Sequence, residues 1–161
     1  MVHIQNSTLA GGVAVGSAAN LYLTPAGSMV VGVLSAVLSV FGYKYASPML
    51  ERKFGLCDTC GINNLHGMPG ILGGLVSAVA IALATESTYP PPADSFYFAS
   101  FGEQAGYQVL GVVVTLLVAV VSGALTGLVI TKVPLQKTRM PFQDAEWFGM
   151  PEPHVFPTKE E

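Results

Sequence analysis

Charge is what this sequence has least of. Of its 161 residues, 11% are Asp, Glu, Lys or Arg and 51% are apolar, whereas soluble proteins carry about a quarter charged residues. A soluble domain built this way could not cover its surface with polar groups, so that class is set aside. The scarcity is also organised. No Asp, Glu, Lys or Arg occurs from Val2 to Tyr43, from Thr59 to Thr85, or from Gln104 to Thr131. A basic start is missing as well, and the apolar run continues past residue 20 instead of stopping at a cleavage site, so no secretory signal is expected. There is no internal repeat, no glycine loop fit to cradle phosphate, and no nucleophile–base pair. These absences argue against an enzyme and leave nothing that points to nucleic acid or a bound cofactor.

What is present is apolar length. A membrane-spanning helix needs about 20 predominantly apolar residues, and the first charge-free stretch holds about twice that. "LTPAG" at Leu23–Gly27 supplies a turn inside it, since Pro25 and Gly27 break helices. The expected fold is an all-α membrane protein of about four transmembrane helices, spanning roughly 6–24, 27–45, 61–85 and 107–132. Residues 1–133 form the membrane region and 134–161 a cytoplasmic tail, partly disordered, with Trp147 and Phe148 as a docking patch.

The positive charges are one-sided. Lys44, Arg52 and Lys53 lie between spans two and three, and Lys132, Lys137, Arg139 and Lys159 follow span four. The loop 86–106 carries Glu86, Asp94 and Glu103 and no Lys or Arg. Cytoplasmic loops are enriched in Lys and Arg, which puts loop 46–60, the tail and the start of span one in the cytoplasm. Loop 86–106 then lies outside, where Pro90–Pro92 forbid regular structure and Tyr89, Phe96, Tyr97, Phe98 and Phe101 suit an interfacial lid or belt.

Small residues stud the spans: Gly12 and Gly16, Gly32, Ser35, Ser39 and Gly42, Gly67, Gly70, Gly73 and Gly74, and Gly123 and Gly127. In lipid, helices associate by close backbone approach, so Gly12, Gly16, Gly70, Gly73, Gly123 and Gly127 are expected on helix-packing faces. They support a bundle of several spans, and packing alone would explain each of them. Span three opens with "GINNLHGMPGILGG", Gly61–Gly74, which puts His66 about one to two turns inside the apolar zone. Asn63 lies three residues away on the same face, Asn64 points aside, and Gly70 and Gly73 continue the stripe as a smooth wall. Pro69 loosens the helix there and frees a carbonyl. Ionisable groups inside spans are costly and tend to mark pathways; the plainer alternative is a histidine bonded to another helix. An imidazole offers one donor and one acceptor and titrates near physiological pH, which suits a small hydrogen-bonding molecule or a proton in transit.

The other motifs carry less. Cys57 and Cys60 form C-x-x-C, but a structural zinc site needs two more ligands and only Asp58 and His66 are near, so free thiols are expected and no metal. Asn6-Ser7-Thr8 matches a glycosylation sequon on the cytoplasmic side and is expected unmodified. His3 and His154 are not pathway candidates.

"DTCGINNLHGMPGILGG", Asp58–Gly74, resembles the signature of the Rh glycoproteins in the ammonium transporter superfamily. "HIQNSTLAGGVAVGSAANLYLTPAGSMVVG", His3–Gly32, resembles a segment two spans earlier in the same proteins. "FGYKYASPMLERKFGL" fits the linking loop, and "FQDAEWFGMPEP" is similar to their acidic-aromatic tail. The resemblance implies the last four of eleven or twelve spans. It also implies trimers with one pore per subunit and conduction of ammonia or ammonium, with carbon dioxide proposed for some members. It implies a pore with two facing histidines, of which His66 matches the second; the first lies on an earlier span. Asn63 stands where some relatives carry histidine. Retention of His66 favours the transport-competent branch. The expected assembly is a homotrimer or a hetero-oligomer with Rh-type subunits; the alternative function is a truncated, non-conducting membrane interaction protein that associates with full-length Rh subunits.

Overall fold

A computed structural model describes residues 2–89 and 100–133, all in helices, turns and connecting loops, with no strand among the described residues. The chain divides into two units, Met1–Val121 and Ser122–Glu161. The tail and the loop positions Pro90–Pro92, Phe96, Tyr97 and Phe98 lie outside the described residues, as do Trp147, Phe148 and His154.

The described residues form five α-helices in order: α1 (Val2–Gly16), α2 (Pro25–Phe41), α3 (Ser47–Phe54), α4 (Met68–Ala82) and α5 (Phe101–Ile130). Two single π-helical turns, Gly42–Ala46 and Asn63–Gly67, lead into α3 and α4. Among the described residues three continuous helices are long and apolar enough to cross a membrane: Pro25–Phe54, Asn63–Ala82 and Phe101–Ile130. The fold is therefore all-helical and membrane-type, with three such helices where four were expected. The difference is α1. Expected over 6–24, it closes at Gly16 and gives way to tight i→i−3 bonds, Ala18 N–H to Val15 at 3.0 Å and Leu21 N–H to Ala18 at 3.0 Å. At 1.5 Å per residue it covers about 22 Å, short of the ~30 Å hydrocarbon core.

Pro25 also behaves differently from a turn residue. It occupies the first turn of α2, and the Thr24 hydroxyl caps that turn by accepting from Gly27 N–H at 3.1 Å. A proline there loses no hydrogen bond, and its fixed φ suits the helix. The break falls in residues 17–24, before the proline. At the far end, α3 stops at Gly55, whose φ of 66° is left-handed and whose N–H returns to Glu51 at 2.9 Å.

Helix contacts run through small residues. Ala10 and Ala14 of α1 and Ala18 in the turn after it are buried, each 0% exposed. Gly11 crosses Gly32 of α2, where an added Cβ would lie 3.5 Å from the Gly32 Cα. The buried Ser35 hydroxyl donates to the Ala10 carbonyl at 2.7 Å. Gly73 of α4 faces the Ala14 backbone so closely that a Cβ would run into its carbonyl. Gly12 and Gly16 sit two positions round from the alanine stripe, about 200° away on the helix. At Gly12, Gly16, Gly70, Gly123 and Gly127 an added Cβ meets nothing within 4 Å. Those faces are open in this chain, like the outward Met29, Val30, Val33 and Val37 of α2 and the row Val113, Leu117, Val120 of α5.

Candidate functional site

The helix that carries His66 starts from an aspartate. Both carboxylate oxygens of Asp58 accept backbone N–H groups, from Ile62 and Asn63, each at 2.9 Å. These are two of the orphan donors that every helix start exposes. Gly61 makes the turn possible. Its φ is 66°, and a Cβ there would collide with the Tyr43 ring. The Tyr43 hydroxyl in turn points at the carbonyls of Cys60 and Gly61, at 3.4 and 3.5 Å, and accepts from the Asn6 side-chain amide. The Asn6 amide is thus engaged inside the bundle end.

The next turn is wide because a proline follows it. In a regular helix the Pro69 ring would press on the carbonyl four residues back and lack a donor for it. Instead the Met68 N–H reaches the Asn63 carbonyl, five residues back, and the helix regains α geometry from there. The same device precedes Pro48, where Ser47 N–H reaches the Gly42 carbonyl. The two wide turns lie against each other. Asn64 is fully buried, its amide donating to the Ser47 hydroxyl at 2.7 Å, and Gly42 leaves room for it.

His66 itself is exposed and lines a cleft of about 550 Å³ between α4 and α5. One wall is Gly67 of the wide turn with Gly70, Ile71, Gly74 and Ser77 of α4; the α5 wall is Gln108, Gly111, Val112, Thr115 and Leu116; Ser17 closes one edge. Glycines give the α4 wall its smoothness, and Gly74 admits Val112 so closely that a Cβ would strike it. Two polar groups are tied together in the cleft. Gln108 donates to the Ser77 hydroxyl at 3.2 Å, and Ser77 donates to the Gly74 carbonyl at 2.8 Å. No described residue bonds the His66 ring, so the alternative of a histidine bonded to another helix is not realised within them.

Of the residues expected on one face, His66 and Gly70 line the cleft together. Gly73 turns to α1 instead. Asn63 does not line the cleft; its amide donates to the Asn64 side-chain oxygen at 3.3 Å, and its oxygen lies near Gly67. The spacing argument assumed 100° per residue, and the wide turn between Asn63 and Gly67 breaks that count. Gln108, Ser77 and Thr115 were not singled out from sequence. Gln108 could have been: an amide in a charge-free apolar run is costly for the same reason as His66. Asp58, weighed only as a metal ligand, could have been seen as a helix cap from its place just ahead of an apolar run. Cys57 and Cys60 are free and exposed.

Comparison with known proteins gives one consistent result. Residues 1–152 match the family model described as Ammonium Transporter Family. The chain is similar to the ammonium transporter Rh type B of Danio rerio, 45% identical over 94% of this chain and 35% of that protein. It is 46% identical to the Rh type B protein of Takifugu rubripes, over 94% of this chain and 35% of that one. Against the ammonium transporter Rh type C of Homo sapiens the identity is 42%, over 94% and 34%. The chain spans about a third of the length of the curated relatives it matches.

Proposed function

The chain belongs to the ammonium transporter family, and from that premise we propose that it contributes one wall of an ammonia-conducting path, with His66 the hydrogen-bonding group on that wall. The observation that carries the reading is the exposed His66 ring on a glycine-lined cleft in a helix otherwise suited to lipid. An intact NH4+ would be opposed by charge desolvation in an apolar passage. Neutral NH3 avoids most of that cost and needs a partner that donates or accepts, which an imidazole does. A second histidine facing His66 would come from spans that precede this segment in the longer relatives. Asn63 supports the wide turn beside His66. Carbon dioxide would pass the same smooth wall but makes no use of a proton-accepting ring, so ammonia fits the residues better.

The proposed setting is a multi-pass plasma-membrane protein assembled as a trimer of Rh-type subunits. The 46–60 loop and the C-terminus are cytoplasmic, as the one-sided Lys and Arg indicate. A second reading, a non-conducting partner of full-length Rh subunits, is favoured by one observation: α5 is exposed along most of its length, as a helix offered to a neighbour would be.

The test is a chimaera in which this chain replaces the matching third of the Danio rerio relative. Methylammonium uptake is expected in the chimaera and lost at least tenfold in His66→Ala. Unchanged uptake in the variant would defeat the role of His66, and uptake absent from the chimaera itself favours the second reading.

A further inference from the structure

The loop between α3 and the His66 helix holds one feature that conduction does not use. Cys57 and Cys60 are both free and both exposed, three positions apart with Asp58 and Thr59 between them. The loop is short and fixed at both ends by left-handed glycines, Gly55 and Gly61, each with φ 66°. Asp58, inside the Cys-x-x-Cys span, caps the next helix through both carboxylate oxygens. Thr59 directs its hydroxyl at the Cys60 sulfur at 3.9 Å, and the Cys60 carbonyl faces the Tyr43 hydroxyl. Among the described residues no third His, Cys, Asp or Glu completes a metal-holding group with the two thiols. What two accessible thiols at this spacing can do without a third ligand is exchange with a disulfide.

We propose that Cys57 and Cys60 are a reversible dithiol–disulfide pair, and that closing it disturbs the Asp58 cap of the helix that carries His66. The oxidant is a low-molecular-weight disulfide of the glutathione class. One cysteine attacks it as thiolate, forming a mixed disulfide and releasing one glutathione thiolate. The other cysteine attacks the protein sulfur of that mixed disulfide, forming the Cys57–Cys60 bond and releasing the second glutathione. Two protein thiols are oxidised, one glutathione disulfide is reduced to two thiols, and the two protons pass to the departing thiolates. Exposed disulfides are the labile, reversible kind. A disulfide requires its Cα atoms about 4.4–6.8 Å apart with a set dihedral. Asp58 lies between the two cysteines, so the ring that the bond closes includes the backbone that carries the capping carboxylate.

The experiment places the full chain in lipid nanodiscs with excess oxidised glutathione. Cysteines are blocked and read by mass spectrometry, and amide hydrogen exchange is followed at Ile62 and Asn63. The expected product is the intact chain lighter by two hydrogens, with both thiols lost together and recovered on adding reduced glutathione. Cys57→Ser and Cys60→Ser should each stop at a mixed disulfide. Exchange at Ile62 and Asn63 should rise severalfold on oxidation of the natural chain and stay level in either variant. Two independent glutathione adducts, or thiols left free, overturn the pair. A disulfide that forms with unchanged exchange at both amides overturns the coupling to the cap.

Discussion

Gly73 is where α4 and α1 meet through backbone alone. A methyl group there would press on the Ala14 carbonyl, which cannot rotate away. Gly73→Ala should therefore lower the thermal midpoint of the chain in detergent by an amount equivalent to about 1–3 kcal/mol of overpacking. Gly12→Ala serves as the comparison, because nothing lies within 4 Å of its added Cβ; removing a helical glycine stabilises by about 0.5–1 kcal/mol. Equal midpoints for the two variants would show that the close approach carries no weight. At this scale the sequence told only part of the story. Small residues on α1 and α4 are visible as letters, but both the Ala10–Ala14–Ala18 stripe and the Gly12–Gly16 pair have the spacing of a packing face. Which one packs depends on where α2 and α4 lie, and no residue of α1 encodes that. His66 stood out because an imidazole among apolar neighbours is costly wherever it points; Ser77 did not, because its hydroxyl is satisfied by the Gly74 carbonyl of its own helix.

The two wide turns are the features that position the site at the scale of the element. Each ends two residues before a proline, Pro48 or Pro69, and the two meet at Asn64, Gly42 and Ser47. A wide turn carries one more residue than an α-turn, so closing it would rotate everything on its N-terminal side by about 100° relative to α4. Pro69→Ala restores an N–H and removes the ring that keeps the turn open. The expected result in the chimaera is methylammonium uptake reduced about tenfold, since a displaced His66 forfeits a hydrogen bond of roughly 1.5 kcal/mol. The thermal midpoint should hold or rise, because a proline inside a helix is unfavourable to begin with. Uptake retained at the natural level would mean that the wide turn does not position His66. The proline at 69 was legible as a point of weakness, whereas its consequence, the loss of Asn63 from the His66 face, was not. Face assignments rest on a constant 100° step, and a π turn is invisible to that arithmetic. Pro25 shows the same limit from the other side: the residue that marks a break also starts the helix after it, with Thr24 as cap.

For the whole molecule, the strongest signal in the sequence is the sidedness of its charge, and it needs fewer spans than the full topology does. Whether α1 crosses the membrane does not matter to it. The relation between the 55–61 loop and the residues before α5 depends only on Asn63–Ala82 crossing once, and that helix has the length and composition to do so. Inverting it would carry Lys44, Arg52 and Lys53 toward the opposite face, and each basic residue costs about 2.5–3.5 kcal/mol at the membrane centre. The exposed Cys57 and Cys60 are natural probes of one side. In a Cys57→Ser/Cys60→Ser background, Ser87→Cys probes the other, just past the end of α4. A maleimide that cannot cross lipid should label the natural cysteines in inside-out vesicles and Ser87→Cys in right-side-out vesicles. Labelling of both probes from the same side would mean that Asn63–Ala82 does not cross. Labelling of each from the opposite side to that expected would reverse the orientation while leaving the crossing intact. The two failures are separable because the charge pattern sets direction and the apolar length sets crossing, and these are written in different residues.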